Sequence, residues 1–245
     1  MRIAGGLLLL IAAVPAMAQQ LAIPSATYPF ISSSGANAGA FVPDGWAIER
    51  QARGDISGDG RDDLAIVVKQ ADPAFVLTNE SLGVPRLDTN PRILIVAVGS
   101  ATGFRLKLSN HRLIPRHEIP TMSDPFGEDG GLAIERGSLK ISLFSFANAG
   151  GWDMGTTAFT FRWSGNTLQL IGYDRDNVGR NSGDTSELSI NFLNRRVKES
   201  HGRTDSDGSD AVRWHRLRSS AIPTIDKIDD WQSFNPDGWV NRVFG

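Results

Sequence analysis

The chain has 245 residues, 40% of them hydrophobic, and its 25 Lys and Arg stand against 27 Asp and Glu, which gives a formal net charge of −2. So small an acidic excess gives no reason to expect a polyanionic partner such as nucleic acid, and the length fits one large all-β domain or two small ones with a sizeable core. The sequence contains no cysteine, which excludes disulfides, thiol catalysis and thiolate metal sites.

Residues 1–18 have the pattern of a secretory signal peptide. Arg2 supplies the positive charge, residues 7–14 are almost wholly apolar, and Ala16-Met17-Ala18 matches the small-any-small cleavage site. A membrane anchor is the alternative, but the apolar stretch is shorter than the roughly 20 residues that span a bilayer. We therefore expect a periplasmic or secreted protein with no membrane span after cleavage.

Residues 19–41 are rich in Ala, Ser, Gly and Pro and contain no charged residue. This composition predicts an extended arm or linker. We expect a single all-β domain to follow it, over residues 42–245.

An acidic loop at residues 54–64, Gly-Asp-Ile-Ser-Gly-Asp-Gly-Arg-Asp-Asp-Leu, is the most distinctive motif. Oxygen donors alternate along it around the turn at Gly60, which is the arrangement that a calcium ion requires. Three carboxylates within nine residues also repel one another unless a cation neutralises them. We therefore predict a calcium site whose donors are the side chains of Asp55, Ser57, Asp59 and Asp63 and the carbonyl of Arg61.

Three other interpretations of this loop compete with the proposed calcium site. An EF-hand requires a glutamate at position twelve and a following helix, but position twelve here is Ile66, inside an apolar strand. A solvated Asp and Gly turn, with Asp55 and Asp59 capping backbone amides, stays open. Magnesium is a weaker choice, because it prefers a tight octahedron rich in water.

The remaining segments have strand character. The continuous apolar runs at 64–68 and 93–98 predict central strands covered on both faces. Alternating residues from 157 to 163, followed by a three-residue loop, predict one hairpin, and Arg136-Gly137 predicts another. Further strands are expected at 104–108, 188–192, 196–199 and 211–216, and a short helical turn capped by Thr224 at 225–231. The spacing predicts an all-β fold, an antiparallel sandwich or a propeller-like sheet stack, with at most one or two short helices.

The segment Phe41-Val42-Pro43-Asp44-Gly45-Trp46 together with the acidic loop resembles the single calcium loop of FG-GAP or VCBS-type exported bacterial proteins. The resemblance extends more loosely over most of the mature chain, and its specific part is the acidic loop. It implies calcium at Asp55, Ser57, Asp59 and Asp63. Residues 204–210 form a weaker second metal candidate, since no strong apolar strand follows them directly.

Signatures of catalysis are sparse. The sequence contains no Gly-x-Ser-x-Gly elbow, and His117-Glu118 lacks the second histidine of a zinc protease. Paired carboxylates for glycoside cleavage could come from the acidic segments 124–129 and 174–184, both expected to be loops. The basic stretch 195–218 is interpreted as solvated strand faces, and Trp152, Trp163 and Trp214 are expected in the core rather than on an exposed platform.

These observations favour an exported, calcium-stabilised binding or structural protein without catalytic activity. An envelope carbohydrate hydrolase with paired carboxylates is the first alternative, and an inhibitor of a secreted enzyme is the second. The expected partners are a calcium ion and an envelope protein or glycan, with no nucleic acid.

Overall fold

The computed structural model describes residues 21–206 and 210–245 of the chain. The predicted signal peptide at 1–18 lies outside the described residues, as do the first two residues of the predicted arm. Within the described ranges, no helix is long and apolar enough to cross a membrane.

The described residues form fourteen strands and one short α-helix, joined by turns and four 3₁₀ segments. In chain order the strands are β1 (Ser34–Gly35), β2 (Trp46–Gly54), β3 (Asp63–Gln70), β4 (Val76–Thr78), β5 (Arg86–Asp88), β6 (Arg92–Ser100), β7 (Gly103–Asn110), β8 (Gly131–Glu135), β9 (Ser138–Phe146), β10 (Asp153–Ser164), β11 (Thr167–Gly179), β12 (Asp184–Asn191), β13 (Arg196–Arg203) and β14 (Ala211–Arg216). The helix, α1, spans Trp239–Phe244, and the 3₁₀ segments are Ala38–Phe41, Pro73–Phe75, Ile225–Lys227 and Pro236–Gly238.

Two antiparallel sheets contain most of these strands. A five-stranded sheet has the order β1-β7-β6-β3-β2, and a seven-stranded sheet runs β14-β13-β12-β11-β10-β9-β8, while β4 and β5 pair separately. The seven-stranded sheet is a meander, because every strand pairs with its neighbour in sequence. The predicted all-β class is confirmed, in the form of an antiparallel sandwich.

Both predicted hairpins are present, with tight turns between their strands. Arg136 and Gly137 both have positive φ, at 51° and 70°, which is the left-handed pair that a two-residue hairpin turn needs. The turn between β10 and β11 is also two residues long rather than three. Gly165 supplies positive φ there, at 62°, and Ser164 stays in the strand.

The main core lies between the two sheets. Ala65, Val67, Leu94 and Val96 of the five-stranded sheet face buried residues of the seven-stranded sheet such as Phe159. Along β10, the alternation of Phe159 and Phe161 points both rings into this core, which is the pattern that the sequence predicted.

The opposite face of the five-stranded sheet carries a second core. Leu64, Ile66 and Val68 point to this side, and Ile31 and Phe41 of the N-terminal segment cover them. The strands β3 and β6 are therefore buried on both faces, as their continuous apolar runs predicted. Residues 31–41 pack as part of the fold, and β1 within them pairs with β7.

The C-terminal segment contains the only α-helix of the described residues. The predicted turn after Thr224 is a single 3₁₀ segment, and Ile225, Ile228 and Trp231 are buried as expected. The helix α1 was not predicted, because it has only six residues and directly follows Pro236-Asp237-Gly238, whose proline and glycine indicate a turn.

Candidate functional site

The acidic loop joins two neighbouring strands at one end of the five-stranded sheet. Gly54 is the last residue of β2 and pairs with Asp63, the first residue of β3, so the loop closes directly on itself. Gly58 and Gly60 both have positive φ, at 80° and 82°, which lets the chain reverse between the strands.

Asp63 is the centre of this loop and is completely buried. Its Oδ2 accepts hydrogen bonds from the backbone N–H groups of Ile56 and Ser57, both at 2.8 Å. Its Oδ1 accepts from the N–H of Gly99 in β6, also at 2.8 Å. Asp63 therefore fastens the start of the loop to its end and to the adjacent strand, and a buried carboxylate is tolerated because three amide donors satisfy it.

The close approach of the loop to β6 depends on the absence of a side chain at Gly99. A Cβ atom placed there would lie 2.5 Å from the carbonyl oxygen of Asp62. Any larger residue would push the loop away from the strand and lengthen the hydrogen bond to Asp63.

Asp55 organises the turn itself. Its carboxylate accepts from the N–H of Gly58 at 2.6 Å and from that of Gly60 at 2.9 Å, and Ser57 Oγ lies 3.4 Å from it. The hydrogen bond from Gly60 lowers the pKa of Asp55 below its ordinary value, with a smaller contribution from Gly58, against a partial loss of solvent that acts in the opposite direction.

Asp59 is turned towards Arg61 rather than towards the other acids. Its Oδ1 accepts from the N–H of Arg61 at 2.9 Å, and its Oδ2 accepts from the Arg61 guanidinium at 3.0 Å. A second guanidinium, that of Arg53, pairs with Asp62 at 2.8 Å. Two arginines thus offset part of the negative charge of the loop.

The three carboxylates predicted to bind calcium have separate hydrogen-bond partners in this arrangement. Asp55, Asp59 and Asp63 each face a different donor, and within residues 21–206 and 210–245 no three acidic or histidine side chains gather as a metal would require. Hydrogen bonds from backbone amides and from guanidinium groups offset the repulsion among the acids. Calcium binding stays a prediction from the sequence. Asp55 and Asp59 make the contacts expected of an Asp and Gly turn whose carboxylates cap backbone amides.

The two explanations differ in a simple melting experiment. If calcium occupied such a site at a hundredfold excess over its dissociation constant, it would add about 2.7 kcal/mol of stability. The amide-capping contacts by themselves predict that the melting temperature of the mature protein, measured by circular dichroism, is the same in excess calcium and in excess chelator. A calcium-dependent rise that Asp59→Ala removes would overturn this expectation and establish the metal site.

The second metal candidate, residues 204–210, lies partly outside the described residues, since Asp207 and Gly208 belong to the gap. Asp205 accepts hydrogen bonds from Nε and Nη2 of Arg203, at 2.9 and 3.0 Å. Asp210 lies 3.4 Å from Ser200 Oγ. These two acids have separate partners.

The first acidic segment suggested for catalysis contains a structural ion pair. Asp124 receives two hydrogen bonds from the Arg92 guanidinium, at 3.0 and 2.6 Å, and Glu49 receives two more, at 2.6 and 2.8 Å. The Arg92 side chain is fully buried. Burial alone would raise the pKa of Asp124, but the hydrogen bonds and the charge of Arg92 outweigh it and lower that pKa.

The second acidic segment, residues 174–184, is not a loop. It comprises the end of β11, a turn and the start of β12. Asp153, Arg175 and Asp176 line a small polar depression there, of about 180 Å³. Burial raises the pKa of Asp176. The negative charge of Glu187, which lies opposite Asp176 on the neighbouring strand β12, adds to this rise.

Two of the tryptophans expected in the core lie at the surface. Trp152 is 62% exposed and Trp214 is 57% exposed. Arginines stack on both of them, Arg180 with its guanidinium 6.0 Å from the Trp152 ring centre and Arg196 with its guanidinium 4.1 Å from that of Trp214. Trp163 packs against the core.

Comparison with protein-family models, with curated proteins and with solved structures finds no match for this chain. The resemblance to calcium-loop proteins therefore depends on the residues that suggested it. The Arg92 ion-pair network was missed at the sequence level. Its one local signal is an arginine placed directly before the apolar run of β6, where a charge has to find partners from distant loops.

Proposed function

We propose that this chain is an exported protein that acts by binding or by structural support, without catalysis. The observation that supports this proposal is the state of the acids in the loops that the sequence offered for chemistry. The carboxylate of Asp63 accepts hydrogen bonds from three backbone amides, and that of Asp124 forms an ion pair with the buried guanidinium of Arg92. Export itself depends on residues 1–18, which lie outside the described part of the chain.

A general acid in a glycosidase must hold a proton near the working pH, and its partner carboxylate must reach the substrate. The pKa values of Asp55 and Asp124 are lowered, which is the opposite of the change that a general acid needs. Asp124 is also held inside the scaffold by its ion pair. These residues therefore favour a structural role.

A carbohydrate hydrolase is the second candidate, and one specific observation favours it. Asp176 has a raised pKa and shares a depression with Asp153, which is the kind of environment that produces a general acid. Arg175 lines the same depression, and Asn177 donates to Asp153 at 3.2 Å.

One experiment separates the two candidates. Purified mature protein is mixed with isolated cell-envelope polysaccharide, and bound protein is measured by cosedimentation while released reducing ends are measured in the supernatant. We expect cosedimentation without release of reducing ends, and the same result for Asp176→Asn and for Asp44→Asn, a substitution of an exposed acid outside the depression. Release of reducing ends that Asp176→Asn abolishes and Asp44→Asn preserves would establish the hydrolase instead.

A further inference from the structure

A depression of about 540 Å³ lies between the edge strand β14 and the helix α1. It is lined by basic and aromatic side chains from two separate parts of the chain. The residues that matter for its chemistry are His215, Arg216, Arg218, Asp237, Trp239 and Arg242. We call it the basic depression.

The fold brings these residues together through a few specific contacts. Arg216 ends β14, and Arg218 follows the buried Leu217. Asp237 Oδ2 accepts from the N–H groups of Arg218 and Ser219, at 2.7 and 3.0 Å, and so fixes the chain after β14 against the start of α1.

The helix α1 completes the opposite wall. Trp239 is buried and its ring lies 4.7 Å from the ring of His215. The guanidinium of Arg242 lies over the same tryptophan, 4.7 Å from the ring centre. Stacking on one aromatic face holds this cation at the rim of the depression.

The charges of the basic depression are not balanced within the described residues. Arg216, Arg218 and Arg242 form no ion pair with any carboxylate of residues 21–206 and 210–245. Asp237 is the one acid of the lining, and its Oδ2 is taken by backbone amides. Three guanidinium groups therefore face one carboxylate.

The surroundings do not cancel this positive field. Arg195 donates to the carbonyl oxygens of Leu217 and Arg218, at 2.8 and 2.9 Å, which adds a fourth guanidinium behind the same backbone. Glu199 is the nearby acid, but it is buried and already contacts Arg213 at 3.5 Å and His215 at 3.1 Å.

We propose that the basic depression binds a phosphate or sulfate group through Arg216, Arg218 and Arg242. Guanidinium groups present forked donors that match the oxygens of such an anion, and several of them around one concave surface attract it more strongly than any one alone. The volume is in the range of sites that hold a small ligand or one unit of a larger one. The edge strand β14 carries Arg213 and Arg216, and charged residues on an edge strand disfavour pairing with a second copy of this chain.

This inference names a class of ligand for the binding role proposed above, and only its functional meaning rests on that role. Cleavage of polysaccharide would overturn the binding role but leave the basic depression untouched. Failure to bind an anion would overturn the basic depression as a site and leave a protein that binds or supports by other surfaces.

The test uses the mature full-length protein and inorganic pyrophosphate as the probe. We expect saturable binding by isothermal titration calorimetry at low ionic strength, weakened by added salt because the contacts are exposed. Arg216→Ala and Arg242→Ala should each lower the affinity roughly tenfold, which is what loss of one charge-assisted contact costs. Arg162→Ala removes an exposed arginine of β10 outside the depression and should leave the affinity unchanged. Absence of saturable binding, or equal binding by all three variants, would refute the proposal.

A second arm identifies the source of the anion. Vesicles of phosphatidylcholine with and without phosphatidylglycerol are sedimented with the wild type and with Arg242→Ala. Binding that requires both phosphatidylglycerol and Arg242 would assign the site to a lipid headgroup. Pyrophosphate binding without vesicle binding would assign it to a soluble or glycan-borne phosphate or sulfate. The melting temperatures of the variants, expected to equal that of the wild type, exclude unfolding as the cause of any loss.

Discussion

Replacing Arg92 with methionine is expected to lower the free energy of unfolding by about 3 to 5 kcal/mol. The guanidinium is fully buried and bridges Glu49 and Asp124 with four hydrogen bonds. Methionine would leave two carboxylates close together, with Lys69 Nζ, 3.9 Å from Asp124, as the remaining cation. Neither carboxylate could regain full hydration. Urea denaturation followed by tryptophan fluorescence measures the loss.

The matched control is Arg53→Met, which breaks the exposed pair with Asp62. Surface ion pairs contribute about 0 to 1 kcal/mol, so this variant should stay close to the wild type. A triple variant, Arg92→Met with Glu49→Gln and Asp124→Asn, removes the uncompensated charges together and should recover part of the loss. If Arg92→Met cost no more than Arg53→Met, the network would have no structural importance.

The same network predicts how stability responds to acid. The folded state lowers the pKa of Asp124, so its contribution is present above the unfolded value of about 3.9 and is lost as the pH falls through the folded value. The wild type should therefore lose stability below about pH 4. In Arg92→Met this part of the acid dependence should be weaker, because the main cation that lowers the pKa of Asp124 is gone.

Replacing Asp63 with alanine is expected to lower the free energy of unfolding by about 3 to 5 kcal/mol, since three amide donors would lose their acceptor and each buried unsatisfied donor costs about 1 to 3 kcal/mol. The donors belong to Ile56, Ser57 and Gly99, which lie on both sides of the loop and on the adjacent strand. Urea denaturation again gives the loss.

Asp62→Ala is the control for this substitution, because it removes an exposed acid at the preceding position in the chain. It should cost less than about 1 kcal/mol. The loss caused by Asp63→Ala should also be the same with excess calcium and with excess chelator, because the role assigned to Asp63 is the capping of amides. A loss seen only in the presence of calcium would assign Asp63 to metal binding instead.

Much of the fold followed from local patterns. The continuous runs of β3 and β6 predicted strands buried on both faces, and the alternation of β10 predicted which rings enter the core. Arg136-Gly137 predicted a hairpin because few residue pairs accept two successive positive φ angles. These features depend on residues near one another in sequence, where periodicity and turn chemistry are informative.

The candidate site was harder to predict, because the partners of its charges lie far away in sequence. The alternating acids of the loop suggest a cation, but the donors to Asp63 include an amide of β6, which no local pattern reveals. Asp124 and Arg92 are 32 positions apart. The basic depression joins β14 to a helix too short to be predicted, so stretch 195–218 by itself resembled an ordinary solvated surface.

The covering of the five-stranded sheet by the N-terminal segment has a consequence for the order of assembly. β1 pairs with β7, so the earliest part of the fold to be synthesised has nowhere to dock until a segment about 70 positions later has emerged. Non-local pairings of this kind are slow to form. Without the N-terminal segment in place, the face of the sheet that carries Ile66 and Ile95 would be uncovered, and exposed apolar surface of this kind promotes aggregation of a nascent chain.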